Sequence, residues 1–311
     1  MTNDTIGVDI SKDHLDAHRM SDGASRRFAN DRGGHRAFTG WLGQPDMRIV
    51  YEPTGPYHRA FERKLAAAGA ALVKVNPRQA RRFAEATGRL AKTDRLDAAM
   101  LARMGALLDL DARRARSPVL NDLKDLHTAR EALVKNRAAA KNRAKTLTLA
   151  ILKRQSAEQL RQIERQMAAI EKEIMALIEA EPDLASRFAI LVSIPGVSAV
   201  TAFALLIEMP ELGTLGQGQA ASLAGLAPIA RQSGNWTGRA FIRGGRANVR
   251  KALYMPAIVA MRFNPDLKAK YQKLKAAGKA PKLAITAIMR KLVLLANALL
   301  RDGRKWTPSL P

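Results

Sequence analysis

The sequence predicts an α/β layer at its N-terminal end, followed by a predominantly helical chain. Two observations carry this prediction. Short apolar strands alternate with helices up to about residue 86, and long runs with helical 4-3 spacing follow the Ser117-Pro118 step. We expect three domains: an α/β domain over 1–115, a helical hairpin over 116–183 and a mainly helical domain over 184–311.

The α/β domain is predicted to contain five strands and three early helices, because apolar stretches alternate there with turn residues and amphipathic segments. The strands are expected at Thr5–Ile10, Leu15–Met20, Ser25–Asn30, Arg48–Glu52 and Ala71–Val75. The helices are expected at Gly34–Leu42, His58–Ala68 and Pro77–Ala86. A further helix is expected to begin after Thr93, which suits the N-cap position.

The hairpin prediction rests on two apolar runs, one from Leu126 to Ile151 and one from Leu160 to Leu177. A capping box formed by Ser156 and Gln159 predicts the start of the second arm. The spacing is typical of a coiled coil. The first arm carries a row of basic residues. Three interpretations are open: a solvated helix face, a surface that faces nucleic acid, or a contact with another subunit. The row comprises Lys135, Arg137, Lys141, Arg143 and Lys145.

Charge and composition narrow the class of partner. The chain has 311 residues, a net charge of +24 and no cysteine. Residues 1–115 hold 20 Lys and Arg against 14 Asp and Glu, whereas 116–311 hold 32 against 14. Such an excess predicts a polyanionic partner, and the absence of cysteine excludes disulfides and thiolate zinc sites. No signal region or long apolar run is evident, so we expect a cytosolic protein without a membrane partner.

Four acidic residues are candidates for a metal site. Asp9 and Glu52 lie at the ends of predicted core strands, and Asp94 and Asp97 open a predicted helix on the same layer. Carboxylates are the ligands that hard divalent cations prefer, and a pair of cations about 4 Å apart supports phosphoryl transfer. The alternative is a capped helix whose acids interact with the helix dipole. The order of the four acids favours an RNase H-like layer.

Ser233 lies in a glycine-bearing loop among five arginines. It is either a turn residue or a nucleophile on a DNA phosphate, with guanidinium groups neutralising the developing charge. No histidine is near it in sequence, which disfavours a Ser-His-Asp hydrolase. The arginines are Arg231, Arg239, Arg243, Arg246 and Arg250.

The segment 191–206 resembles a helix-hairpin-helix element. Its Pro195-Gly196 turn would present backbone amides to a phosphate without reading base sequence. The alternative is an ordinary helix–turn–helix element of the core.

Five motifs, in this order over nearly the whole chain, resemble those of the DEDD transposases of the insertion-sequence one-ten family. They are Val8-Asp9-Ile10-Ser11-Lys12, Tyr51-Glu52-Pro53-Thr54-Gly55, Lys92-Thr93-Asp94-Arg95-Leu96-Asp97-Ala98, Ile194-Pro195-Gly196-Val197, and Gln232-Ser233-Gly234 through Gly245-Arg246. No departure from the family pattern is visible at the acids or at the serine.

The resemblance implies a RuvC-like domain, a coiled coil and a C-terminal transposase domain with an essential serine. It implies that Asp9, Glu52, Asp94 and Asp97 hold Mg²⁺, two ions per site, with Mn²⁺ as an alternative. It further implies a covalent 5′-phosphoserine link at Ser233. The implied partners are donor DNA, target DNA, a structured bridge RNA that guides recombination, and further copies of the chain in a dimer or tetramer, whose subunits share composite sites.

Three other functions are compatible with parts of the sequence. A metal-dependent junction nuclease would use the four acids with water as the nucleophile. A nucleic-acid-binding scaffold would perform no chemistry, and it leaves the ordered acids unexplained. A sugar kinase of the actin-like fold also begins with a strand that ends in an acid, but its later glycine-rich phosphate loops are not evident.

Overall fold

The computed structural model describes residues 4–43, 47–88, 94–110 and 117–308, with the side chains of Asp94, Arg95 and Arg239 outside the description. The expected N-cap Thr93 also lies outside the described residues. The chain forms two compact units, Met1–Ser117 and Pro118–Pro311.

The first unit is built on a five-stranded mixed sheet in the order β3-β2-β1-β4-β5. The first three strands form an antiparallel meander, and β1, β4 and β5 run parallel. All five strands predicted from the sequence are present, with bounds that differ by one residue at most. They are β1 (Thr5–Ile10), β2 (His14–Arg19), β3 (Ser25–Ala29), β4 (Arg48–Tyr51) and β5 (Ala71–Lys74).

Helices cover both faces of this sheet. Phe38 of α1 and Phe61 of α2 pack with Ile6 and Val8 on one face. On the other face, Met104 of α4 packs with Val50 in a separate cluster that also includes Ala80 of α3. The helices are α1 (Arg32–Leu42), α2 (His58–Ala67), α3 (Pro77–Ala86) and α4 (Asp94–Leu107). The result is a three-layer α/β unit.

The second unit begins with a long helical hairpin, α5 (Pro118–Ala144) and α6 (Ala150–Ala180). The hairpin was predicted, but its turn was placed wrongly, since α6 begins at Ala150 rather than near Ser156. The capping-box pattern therefore lies inside a helix. Hydrophobic positions such as Ile163 and Met167 form the seam between the two arms. Nearer its base, Leu123 and Ile174 enter the main core of the unit.

That core is formed chiefly by helices. They are α7 (Pro182–Val192), α8 (Ala199–Glu208), α9 (Gln217–Leu223), α10 (Ala247–Phe263), α11 (Pro265–Ala276) and α12 (Pro281–Arg301). Between α9 and α10 lies a two-stranded antiparallel hairpin, β6 (Pro228–Ser233) and β7 (Trp236–Ile242). By length and composition α12 could cross a membrane, but its apolar residues, including Ile288 and Leu292, belong to this core. Core packing therefore explains its composition.

Candidate functional site

Helix α4 lies directly on strand β1 because Gly7 has no side chain. A Cβ atom on Gly7 would come within 2.0 Å of the Ala98 carbonyl oxygen and 2.3 Å of the Ala102 nitrogen. No other residue type permits such an approach without moving the helix. Gly7 therefore fixes the depth at which α4 packs.

The direction of α4 places its N-terminal turn beside the end of β1. A Cβ on Gly105, near the other end of the helix, would come within 3.0 Å of the Thr5 side chain. Because Thr5 precedes Gly7 in β1, the helix runs antiparallel to the strand. Two residues of a strand span about 6.6 Å, and about four residues of a helix span the same length. Asp9, on the same face as Gly7, thus lies beside the turn that begins at Asp94.

Glu52 reaches the same end of the sheet. Strands β1 and β4 are parallel, with Gly7 opposite Val50 and Val8 opposite Tyr51. Glu52 directly follows Tyr51, as Asp9 directly follows Val8. Asp9, Glu52 and Asp97 are all half-buried. The four predicted acids therefore come from three adjacent elements at one end of the unit.

The donor chemistry suits Mg²⁺, since carboxylate oxygens are the ligands of hard cations. Among the described side chains, no group of three or more His, Asp or Glu residues is close enough to hold a metal ion. The side chain of Asp94, the fourth acid, lies outside the described residues. The backbone positions of Asp9, Glu52 and the first turn of α4 thus fit a carboxylate site.

A further acid next to Asp9 was not singled out from the sequence. Asp16 lies directly opposite Asp9 on β2. Both Asp16 oxygens accept hydrogen bonds from Arg27, each at 2.9 Å, so its charge is paired. The strict alternation of β2, in which Leu15 and Ala17 are buried on the other face, was a signal that could have identified it.

Asn30 connects the loops that follow the two acid-bearing strands, a role sequence reasoning also missed. Its Nδ2 donates to the Ser11 carbonyl at 2.8 Å and to the Tyr57 carbonyl at 3.2 Å. Its Oδ1 lies 2.8 Å from Nε2 of His35. Because an amide oxygen only accepts, the imidazole donates from Nε2. Ser11 follows β1 and Tyr57 follows β4, so Asn30 ties the Asp9 and Glu52 segments together.

A polar cluster supports β4 from the face covered by α2. Lys74 and Glu62 form an ion pair at 2.6 Å, and Glu62 also interacts with His58. Burial, followed by the charge of Glu62 and a hydrogen bond to it, raises the pKa of the Tyr51 hydroxyl. Burial, followed by the charge of Lys74, lowers the pKa of His58 despite the opposing effect of Glu62. These groups hold the strand that precedes Glu52.

In the second unit, Ser233 lies at the tip of the β6–β7 hairpin, where the sequence predicted a glycine-bearing loop. It pairs with Trp236 across the Gly234-Asn235 turn. Gly234 has φ +55°, the left-handed conformation that a tight hairpin turn of this kind requires. The whole of β6 is exposed. The hairpin therefore presents the serine hydroxyl to solvent.

Four of the five arginines predicted around Ser233 have described side chains, and these four fall into two groups. Arg246 makes two hydrogen bonds to the Glu211 carboxylate, at 2.6 and 2.7 Å, and a third to the Glu208 carbonyl. Arg250 donates to the Gly244 carbonyl at 2.5 Å. These two side chains anchor the base of the hairpin. Arg231 and Arg243 are exposed, whereas the side chain of Arg239 lies outside the described residues.

The predicted basic row, which follows α5 and ends at Lys145 just beyond it, is mainly on the surface. Arg137 is half-buried, and the other members are exposed: Lys135, Lys141, Arg143 and Lys145. Lys141 lies 3.9 Å from Glu164 of α6. Nearer the base, Arg130 is buried and donates to Glu171 at 2.7 Å, which makes it a structural residue. The exposed members remain available to a polyanion.

The Pro195-Gly196 turn joins α7 to α8 as predicted. A Cβ on Gly196 would come within 2.9 Å of backbone atoms of Pro256 and Ala260, so α10 packs against this turn. Ser198 caps α8 by accepting from the Thr201 nitrogen. Packing is thus sufficient to explain the glycine, and phosphate binding at the turn stays a prediction.

Two family models match the chain. Residues 6–154 match a DEDD transposase model named for IS110, described as a transposase. Residues 188–272 match the model described as transposase IS116/IS110/IS902 family. Together they span both acid-bearing strands, α4 and the Ser233 hairpin.

Curated relatives agree with these matches. The chain is 28% identical to the pilin gene-inverting protein of Moraxella bovis over 98% of both chains, and equally so to that of Moraxella lacunata. It is 33% identical, over 53% of this chain and 40% of the relative, to an uncharacterised 43.6 kDa protein of the insertion element IS110 from Streptomyces coelicolor.

Proposed function

Because this chain belongs to the family of DEDD transposases typified by IS110, and is therefore a DNA transposase or recombinase, we propose that it exchanges DNA strands through Ser233. The acids of the first unit act with the serine. The observation that carries the proposal is the contact of α4 with Gly7, since it supports a shared location for Asp9, Glu52 and the first turn of α4.

The four acids, Asp9, Glu52, Asp94 and Asp97, would hold Mg²⁺, for which Mn²⁺ could substitute. A divalent cation, when bound, supplies charge neutralisation at the reacting phosphate. Family membership supports the use of a divalent metal in general. The half-buried positions of Asp9, Glu52 and Asp97 also suit carboxylates that meet both protein and substrate.

In the proposed reaction the Ser233 oxygen attacks a DNA phosphorus. An O–P bond forms to the serine, and the bond from phosphorus to the 3′ oxygen breaks. The serine proton passes to solvent, and the leaving oxygen takes up a proton as a 3′ hydroxyl. The product is a 5′-phosphoserine, which retains the bond energy needed for rejoining. Arg231 and Arg243, exposed on or beside the hairpin, would neutralise the developing charge.

We further propose that a structured RNA guides the choice of donor and target DNA, and that two or more copies of the chain share their active sites. The charge distribution supports a polyanionic partner for the second unit. The exposed basic residues of α5, and Arg231 and Arg243, would contact that partner's phosphates. We place this reaction in the cytosol, where the DNA of an insertion element is accessible.

The test combines purified protein, Mg²⁺, the element's non-coding RNA and labelled donor and target DNA. Products are separated on a denaturing gel with and without protease. We expect a protease-sensitive, protein-linked DNA band that disappears in Ser233→Ala and in Asp97→Asn. Thr237→Ala, on the opposite face of the same hairpin, and Asp13→Asn, at an exposed turn, are matched controls that should retain the band.

Three outcomes would refute parts of the proposal. Free cleaved ends with no linked species, unchanged in Ser233→Ala, would establish a nuclease that uses water. Equal yields of the linked DNA with and without the RNA would show that RNA does not guide the reaction. Loss of the linked band in Thr237→Ala as well would assign the serine effect to hairpin structure.

A further inference from the structure

Trp236 is a large aromatic side chain that the protein leaves open to solvent. It is 59% exposed, whereas the other two tryptophans, Trp41 and Trp306, pack against the cores of their units. The chain is otherwise poor in aromatic residues, at 5%. An exposed indole on an exposed hairpin adds little to the core, so its position calls for another explanation.

The indole has a defined position on the hairpin. A Cβ atom on Gly238 would come within 2.3 Å of Cη2 of Trp236 and within 3.0 Å of two more atoms of its six-membered ring. The ring therefore lies across Gly238, where any larger residue would displace it. One side of the ring rests on the β7 backbone, and the other side is available for a ligand.

Trp236 and Ser233 are direct cross-strand neighbours. In such pairs the two Cβ atoms are about 5 Å apart and project from the same face. Arg231, two residues before Ser233, shares this face and lies opposite Gly238. A register shift between Ile229 and Arg231 also brings Phe241 to this face, where the Arg231 guanidinium lies 4.8 Å from the ring centroid.

One face of the hairpin therefore combines a hydroxyl, an oriented guanidinium and an aromatic ring with one free side. Guanidinium groups bind phosphate, and aromatic rings stack nucleobases without regard to base identity. We propose that Trp236 stacks on an unpaired DNA base next to the phosphate that Ser233 attacks. This inference rests on the proposed function, because it takes the strand at Ser233 to be the strand that is cut.

The test is equilibrium binding by the full-length chain in a Ser233→Ala background, so that no strand is cut. The probe is an oligothymidylate of about 15 nucleotides, a length in the range of single-strand binding sites. Tryptophan fluorescence and affinity are both recorded. We expect quenching that is lost in Trp236→Leu, with affinity lowered about 5- to 150-fold, the range for one stacked base. Trp236→Phe should retain most of the affinity.

Phe263→Leu is the matched control, since Phe263 is 69% exposed in the same unit, on α10. It should leave both readouts unchanged. A second variant, Gly238→Val, displaces the ring without removing it and should weaken binding as Trp236→Leu does.

The inference is overturned if quenching persists in Trp236→Leu, if a fully paired duplex quenches as strongly as the single strand, or if Phe263→Leu weakens binding equally. A loss of affinity for oligouridylate but not for oligothymidylate would assign the site to RNA and overturn the DNA assignment. Because no covalent step is measured, failure here is distinct from failure to form the phosphoserine band.

Discussion

A methyl group on Gly7 would lie 2.0 Å from the carbonyl oxygen of Ala98. This distance is well inside van der Waals contact, so the helix that opens with Asp94 and Asp97 can rest on β1 only because residue 7 is glycine. The same strand carries Asp9 two residues later. The spacing of the acids therefore depends on a residue that has no chemistry of its own.

Gly7→Ala should destabilise the first unit and reduce activity together. Overpacking of a filled interface costs about 1–3 kcal/mol, and here the clash is with backbone, which cannot rotate away. Thermal unfolding and the yield of linked DNA are the measurements. Gly40→Ala is the control, because that exposed helical position in α1 has no atom within 4 Å of the added Cβ. An equal loss in both variants would contradict this account.

Asn30→Ala should lower activity more than its effect on stability explains. The change removes both hydrogen bonds from Nδ2, to Ser11 and Tyr57, and leaves His35 without its acceptor. We expect a loss of about 1–3 kcal/mol in the free energy of unfolding, which leaves most of the protein folded. Strand cleavage should be measured where circular dichroism shows a folded chain.

Asn142→Ala, at the exposed end of α5, is the matched control for Asn30 and should change neither quantity. Full cleavage by folded Asn30→Ala would show that the two acid-bearing loops hold their positions without this side chain.

The free energy of unfolding should fall as the pH is lowered below about 6.5. Burial lowers the pKa of His35 from 6.5, against a smaller opposing effect of Asp31, so the unfolded chain binds its proton first. His35 therefore destabilises the fold as the pH drops from 6.5 towards its lowered pKa, by up to about 1.4 kcal/mol per pH unit. Above pH 6.5 this effect is absent.

Denaturant unfolding at pH 7.5 and 5.5 measures this dependence. His35→Gln should reduce the difference between the two pH values, because glutamine does not titrate in this range. His14→Gln, at an exposed position on β2, should leave the difference unchanged. An unaltered difference in His35→Gln would show that other groups cause the acid sensitivity.

Substitution of Arg246 should lower stability, whereas substitution of Arg243 should weaken DNA binding. Arg246→Ala removes a pair of hydrogen bonds to Glu211 and should cost about 1–3 kcal/mol of stability. Arg243→Ala, at an exposed position, should change stability by less than about 0.5 kcal/mol. Its expected effect is weaker DNA binding at all sequences, with a salt slope reduced by about 1. Chemical unfolding and DNA titrations at several salt concentrations distinguish the two; equal stability losses would contradict the assignment.

Most strands and helices of the first unit could be predicted from the sequence, because the residues that specify each element lie within that element or directly beside it. Apolar runs bounded by turn residues predicted all five strands within one residue, and Pro77 marked the start of α3. The turn of the helical hairpin was predicted at the wrong position, because a local pattern there is overridden by packing. The Ser156–Gln159 pattern satisfies a local capping rule, but the packing of Ile163, Met167 and Ala140 between the two arms allows the second helix to begin six residues earlier.

The residues that carry the candidate chemistry can be identified from their types and order along the chain, without coordinates. They are the four acids, Ser233 and the basic residues. Which of these groups already bind other parts of the protein depends on how the chain folds. In the sequence, Arg246 and Arg250 cannot be distinguished from Arg243, because all three are arginines in the same segment. In the folded protein, Arg246 binds Glu211 and Arg250 binds a backbone carbonyl. Likewise, Gly7, Asn30 and Trp236 acquire their roles from neighbours distant in sequence or across a strand pair. Contacts of this kind depend on packing geometry, which no short sequence pattern contains.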